Sequence, residues 1–446
     1  MLVLHLLIAV AIALVLVIRF KISPVFGLIL GGFYYGIASG VGAMKTAGLI
    51  AEGFGGTMRG IGLTVGFGVI IGQLLADCGG VQRIVKSTLS VFSARKVPEA
   101  LCTTGLIVST PVFFDVGFII LTPIAKKLGK AIKAALPIVI APLVIGLGTA
   151  HMLIPPTPGP LAVADTLKVP LGQMILGGVI VGAPAAFLAL YAYNFLAKRQ
   201  AFWNPDQDEE PSLSDAKFEE IDEKNLPSLP ASLLPIAVPV ILIVLASIVP
   251  IAFKGQQSAV IDTLKFIGER NVAMLLGAVA ALFVAYSRMN SDQVSKSVNV
   301  ALADAGLVLL VTGAGGSFGQ VLGATNIGKV LAQGMISYNV PAILLAWFIA
   351  AAIKFAQGSG TVAIITTANL IAPVAAQLGL SGIWLALAIG SGALLGCHVN
   401  DSAFWVVAKI AGLNTRGAFK AYTLPTAINA ITTLIIILVL SPFLWR

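Results

Sequence analysis

Four polar islands interrupt long apolar runs of this chain, and they hold the residues best suited to chemistry. They are Ser109-Thr110-Pro111-Val112-Phe113-Phe114-Asp115-Val116-Gly117, His151 through Pro160, Gln357-Gly358-Ser359-Gly360-Thr361, and His398-Val399-Asn400-Asp401-Ser402. Asp115 and Asp401 are isolated acids. An acid at the centre of a membrane segment costs ~3 kcal/mol, so it faces a polar cavity and works there. Each is a candidate to take up and release a proton, and His151 joins them as a side chain that changes charge near neutral pH. His398 holds the matching place in the fourth island and reads as a ligand-orienting or coupling group. Gln357, Ser359, Thr361, Asn400 and Ser402 both donate and accept hydrogen bonds, which suits a ligand with hydroxyls. Thr110 and Thr157 extend this set. A helix restarting after Gly358 turns unpaired N–H groups toward the break and favours a carboxylate, while Gly358 and Gly360 let backbone approach it. The chemistry expected is binding of a small hydroxylated anion. The competing reading makes the small residues packing contacts, the acids helix caps and the histidines satisfied interior groups. Lys354, three residues before Gln357, reads more as a side chain snorkelling to the membrane surface than as a counter-charge.

Those islands need a bilayer around them. Of 446 residues, 58% are hydrophobic and 11% charged, with a mean hydropathy of +0.98. Soluble domains carry about 25% charged residues, so a water-soluble globular protein is excluded. Twelve apolar segments, near 2–18, 24–44, 61–76, 98–125, 134–163, 171–196, 231–252, 271–286, 300–325, 341–376, 381–408 and 423–444, fill the chain. Spans need roughly 20 apolar residues, and long uncharged runs rather than short alternating strands make this an all-α polytopic membrane protein. The first run is followed, not preceded, by Arg19 and Lys21, so it reads as a retained helix rather than a cleaved signal. Net charge is +9, yet nine of the 19 acids lie in 198–229, leaving 24 bases against 10 acids elsewhere. That excess reads as cytoplasmic-loop bias. No basic stripe is interleaved with aromatics, so no nucleic-acid partner is expected. Cys78, Cys102 and Cys397 lack CxxC spacing and imply neither a disulfide framework nor a zinc site. No metal, cofactor or catalytic residue is called for.

The polar stretch 198–230 reads as a cytoplasmic linker between a first transmembrane repeat, 1–197, and a second, 231–446. The halves echo each other at an offset of 247 residues: Gly72-Gln73 falls on Gly319-Gln320, His151 on His398, and Thr110-Pro111 on Gln357-Gly358. Segment 98–125 has basic clusters at both ends, Arg83, Lys86, Arg95 and Lys96 before it and Lys126, Lys127, Lys130 and Lys133 after it. A re-entrant hairpin keeps both clusters inside, as the positive-inside bias requires. Segment 341–376 has Lys354 as the sole charge between Val330 and Asn400 and reads as a hairpin opening outward. The expectation is two inverted repeats with about ten crossings, two re-entrant hairpins and both termini outside, a secondary-transporter pattern.

The islands also carry a resemblance. Pro111-Val-Phe-Phe-Asp-Val-Gly117, Pro155-Pro-Thr-Pro-Gly-Pro160, Gly313-Ala-Gly-Gly316, Gln357-Gly-Ser-Gly-Thr361 and His398-Val-Asn-Asp-Ser-Ala-Phe-Trp405 resemble the gluconate permease family of sugar-acid:proton symporters. The resemblance covers essentially the whole chain. It implies inner-membrane uptake of a monocarboxylate sugar acid driven by protons, an ion-transporter-type fold with paired hairpins, and a homodimer. Some relatives read Pro-Pro-His-Pro where this chain has Pro155-Pro156-Thr157-Pro158, which leaves the acid open. The rival readings are a sodium-coupled carboxylate or D-serine carrier, a passive channel, and an intramembrane hydrolase with Ser359 as nucleophile and His398 as base. Against the last, the chain has no HExxH, and Ser359 does not sit in a GxSxG.

Overall fold

The computed structural model describes residues 1–20, 22–93, 96–199, 202–210, 223–252, 258–337, 341–378, 381–399 and 401–444. Among them secondary structure is helical, apart from one isolated bridge between Glu209 and Leu413. The first half runs α1 (Leu2–Ile18), α2 (Pro24–Ala38), α3 (Ala43–Asp77), α4 (Gly80–Val91) and α5 (Val97–Val108). It continues through α6 (Phe114–Ala131), α7 (Pro137–Leu153), α8 (Pro158–Thr166) and α9 (Leu171–Ala197), with the short α10 (Pro205–Asp208) in the linker. The second half runs α11 (Leu229–Ala252), α12 (Ala259–Ile267), α13 (Arg270–Tyr286), α14 (Ser291–Gly323) and α15 (Ile327–Ser337). It ends with α16 (Ala342–Gln357), α17 (Gly360–Leu378), α18 (Gly382–Gly392), α19 (Ser402–Ala411), α20 (Thr415–Ala418) and α21 (Leu424–Leu440), the last two joined by a π-helical turn at Phe419–Thr423.

Among the described residues, six stretches are long and apolar enough to cross a membrane: Ala43–Asp77, Pro137–Thr166, Leu171–Ala197, Leu229–Val249, Ser291–Gly323 and Thr415–Leu440. The pair α12–α13, bent by 65°, makes a seventh if taken as one span. The protein is therefore an all-α polytopic membrane protein. Helices of 10–17 residues, among them α2, α5, α16, α18 and α19, are too short to cross singly, since 15 residues reach only about 22 Å against a core of about 30 Å.

Helix starts in the two halves keep a common spacing. The pairs α2/α13, α3/α14, α4/α15, α5/α16, α6/α17, α7/α18, α8/α19 and α9/α20 begin 244 to 248 residues apart. The members of the α3/α14 pair also pack on each other, and α9 packs on the stretch that α20 begins. Ser317 donates to the Ile50 carbonyl at 2.8 Å and Ser297 to Asp77 Oδ2 at 2.6 Å, so α3 and α14 run antiparallel. Gly53 makes their approach possible, because a Cβ there would lie 2.8 Å from Ser317 Cα. The α9 helix and the Thr415–Leu440 stretch are antiparallel too: Tyr193 donates to the Lys420 carbonyl at 2.9 Å, and Thr432 to the Ala185 carbonyl at 3.1 Å.

Asp208 in the linker docks on the second half. Asp208 is fully buried, 2.6 Å from Lys420 Nζ and 3.2 Å from Arg416 Nε.

Candidate functional site

Each island falls at a helix break, for a local reason. The first lies between α5 and α6, where Ser109 Oγ donates to the Val112 carbonyl at 3.0 Å and Pro111 lacks an N–H to continue the ladder. The second separates α7 from α8, whose first residue is Pro158. The third is the two-residue gap between α16 and α17, where Gly358 takes φ +86°, a left-handed turn that favours glycine. The fourth holds Asp401, whose Oδ1 accepts from the Ala403 N–H at 3.0 Å and caps α19.

Three of these breaks meet at one cavity of about 660 Å³. The first turns of α6, α17 and α19 all line it, through Asp115, Thr361 and Ser402 among others. Each helix N-terminus carries a partial positive charge and unpaired N–H groups, so three of them aimed at one space make it receptive to an anion. The α6 start has no side-chain cap, which leaves its N–H groups available. Middle residues of α14, including Asp304, close another wall.

The polar side chains here are of two kinds. One group is fully engaged: Lys354 Nζ lies 2.5 Å from Asp401 Oδ2 and donates to the Gly358 carbonyl at 2.5 Å, while Tyr422 donates to the same Asp401 oxygen at 2.6 Å. Lys354 is 1% exposed and Asp401 5%. The other group is left wanting. Asp115 Oδ1, His151 Nδ1 and Gln357 Nε2 are buried without a hydrogen-bond partner, and all three residues line the cavity. Unsatisfied buried polar atoms cost about 1–3 kcal/mol each, so three at one cavity mark a place built to receive a polar guest or ordered water.

The structure brings together Asp115, His151, Gln357, Gly358, Ser359, Gly360, Thr361, Asp401 and Ser402 as lining residues of this one cavity. Three expected residues do not line this cavity. Thr110 is bonded to the Leu106 carbonyl at 2.9 Å, Thr157 to the Ile154 carbonyl at 2.7 Å, and His398 Nε2 stands 2.9 Å from the Phe355 carbonyl. Asn400 lies outside the described residues. Lys354 requires a correction: it does not snorkel to the surface but turns inward to Asp401, because the hairpin tip buries its whole stem. Tyr422 and Asp304 escaped the sequence reading. Lys354 and Asp401, two lone opposite charges in one long uncharged stretch, were the available signal for the pair.

A second cavity, of about 650 Å³, opens between α3, α8, α14 and α17, with Arg59, Asp165 and Lys168 on its walls. An apolar cluster on the same four helices, including Ile61, Val65, Leu161 and Ile365, lies beside it. Along α17, Ile365 falls between Val362 of the first cavity and Asn369 of the second.

Comparison with known proteins agrees with this architecture. The chain is 34% identical over 433 residues to an uncharacterized permease of Haemophilus influenzae, covering 95% of this chain and 88% of that one. It is 32% identical over 431 residues to a gluconate permease of Pseudomonas aeruginosa, covering 96% of this chain and 95% of that one. It is also 32% identical over 437 residues to a high-affinity gluconate transporter of Escherichia coli (strain K12), covering 97% and 98%. The solved structure of Neisseria gonorrhoeae MtrF, described among a class of antimetabolite efflux pumps, shares the fold. Its TM-score is 0.66 at 17% identity, over 91% of this chain and 86% of that one. The GntP family permease pattern matches residues 1–443. The hydrolase reading therefore gives way, since these relatives are transporters and not enzymes. This multi-pass inner-membrane chain, with its cavity framed by broken helices, belongs to the GntP family of permeases.

Proposed function

We propose that this permease is a secondary active transporter that takes up a small hydroxylated monocarboxylate of the gluconate type together with a proton. The observation that carries the proposal is the cavity where three helix N-termini meet three unpartnered polar atoms. The N-termini suit a carboxylate. Asp115, His151 and Gln357, with the hydroxyls of Ser359, Thr361 and Ser402, suit the alcohols along a sugar acid. A volume of about 660 Å³ falls in the ordinary range for a small-molecule site. Relatives named for gluconate across nearly the full length support the same cargo class.

Charge supports the choice of coupling ion. Lys354 is the one lysine or arginine among the described residues lining the cavity, and it faces three acids, Asp115, Asp304 and Asp401. An anion entering such a space is repelled until a proton neutralises an acid. Proton uptake and anion uptake then favour each other.

The frame supports alternating access. We infer two repeats, 1–197 and 231–446, joined by the linker 198–230. Antiparallel packing of α3 and α14 supports a relation between the halves that reverses direction across the membrane. Two cavities that share walls from α14 and α17, with the Ile61–Leu161–Ile365 cluster on α3, α8 and α17, support a reading of two chambers and a barrier.

The test is uptake of labelled gluconate by proteoliposomes under an imposed pH gradient, challenged by unlabelled sugar acids, D-serine and dicarboxylates. Accumulation should follow the gradient, collapse with a protonophore and be competed by sugar acids. Accumulation that vanishes on sodium removal alone, or competition by dicarboxylates only, sinks the proposal.

A further inference from the structure

We infer that Lys354 is the anchor for the cargo carboxylate and that Asp401 is a proton-operated latch which occupies that anchor when no cargo is bound. The inference rests on the sugar-acid reading above and deepens it by naming how proton and anion are coupled. Its starting point is the buried pair itself, Lys354 Nζ at 2.5 Å from Asp401 Oδ2, on the wall of the cavity.

A buried ammonium must keep an anionic partner. Lys354 has three N–H donors; one goes to Asp401 and one to the Gly358 carbonyl in the turn between α16 and α17. That second bond ties the ammonium to the hairpin tip, so it stays in place when its partner changes. A cargo carboxylate arriving at the first turn of α17 competes with Asp401 for this one cation. Two carboxylates cannot share it while both are ionised.

A proton resolves the conflict and the charges balance. One proton from solution adds to the Asp401 carboxylate, and Lys354 keeps all three of its own. Protonated Asp401 remains held by Tyr422 and by the Ala403 N–H. The cargo carboxylate then becomes the counter-ion of Lys354. Lys354 and its counter-ion sum to zero charge before and after, so one proton enters with one monovalent anion and no net charge crosses.

The groups facing this latch come from several elements: Tyr422 in the π-helical turn, Cys397 before α19, Asp115 on α6, His151 on α7 and Asp304 on α14. Among them Asp115 has no partner for its buried Oδ1. At the 247 offset, Lys354 and Asp401 fall on Ile107 and Ile154, so the chain holds a single latch.

The experiment uses the full chain in proteoliposomes with labelled gluconate, read as concentrative uptake, as gluconate–gluconate exchange and as direct binding across pH. Wild type should take up one proton per gluconate and ignore a potassium-diffusion potential at fixed pH gradient. Its affinity should fall about tenfold per pH unit wherever binding takes up one proton. Asp401→Asn should lose concentrative uptake yet exchange gluconate with little pH dependence, and gluconate should raise its melting temperature more than it raises that of wild type. Lys354→Gln should lose exchange and binding by roughly 100-fold, the scale of truncating one member of a buried charge pair. The double variant Lys354→Gln with Asp401→Asn, neutral and free of a stranded charge, should fold and still not bind. Proton-driven uptake by wild type combined with unchanged pH dependence in Asp401→Asn, with binding by the double variant, or with uptake driven by potential overturns the latch alone. Wild-type vesicles that ignore gluconate and every other sugar acid overturn the functional reading and the latch with it.

Discussion

The two halves of this permease start their helices at a common spacing and divide the chemistry. At the 247 offset the second half places Lys354, Asp401 and Tyr422 where the first half has Ile107, Ile154 and Ile175. Conversely, the first half places Asp115 where the second has Val362. The second half thus holds a closed circuit of buried charge, in which every polar atom of Asp401 is engaged. The first half offers the cavity open-ended groups, Asp115 Oδ1 and His151 Nδ1, that nothing in the described structure satisfies. The lesson is that helix starts at a common spacing do not fix the chemistry: the side chains at matching positions decide where buried charge is paired and where an acid waits for a partner.

The contrast is most exposed at Lys354. Lys354→Met alone should cost about 3–5 kcal/mol of stability, because it strands a buried acid. Pairing it with Asp401→Leu should restore most of that loss while uptake stays absent, and Ile107→Met should change neither. Thermal unfolding in detergent with parallel uptake measures all three, and a stable Lys354→Met would erase the distinction between the halves. Next in size is Asp115→Asn. It should cut uptake roughly 100-fold, about 2.7 kcal/mol in the rate, with melting unchanged, since the lost oxygen had no partner. Melting as poor as that of Lys354→Met would make Asp115 structural. A smaller effect separates Gln357 from its counterpart Thr110. Gln357→Ala should raise the half-saturation concentration about tenfold, the value of one hydrogen bond to a charged ligand. Thr110→Ala should shift it little, because its hydroxyl is already given to the Leu106 carbonyl. The finest test compares the two histidines. His151→Gln should weaken uptake several-fold, roughly 1 kcal/mol, and His398→Gln should leave it near wild type. Equal effects would mean that both histidines reach the cargo.

Much of this site could be read from composition and position. An acid, an amide or a Gly-Ser-Gly run inside an uncharged segment has few stable fates in a bilayer, so Asp115, Asp401 and Gln357–Thr361 stood out, and all line the cavity. Thr110, Thr157 and His398 stood out for the same reason, yet each hands its polar group to a nearby carbonyl. Sequence distinguishes a polar residue from an apolar one, but not a local hydrogen bond from an unmet one. Lys354 shows the limit from the other side. A long stem and a charged head fit snorkelling, and only the position of Asp401, 47 residues further on, turns the head inward.

Sequence alone settled the class. Some 58% hydrophobic residues with 11% charged ones demand a bilayer and helices, because backbone polar groups in lipid must satisfy themselves within the segment. It also located the breaks, since glycine and proline act on their own residues' dihedral angles and hydrogen bonds. Tertiary structure alone decided which breaks converge and which charges pair. Those outcomes depend on contacts between α6, α16, α17 and α19 that are tens to hundreds of residues apart, and burial energy is set by the space where they meet rather than by any one of them.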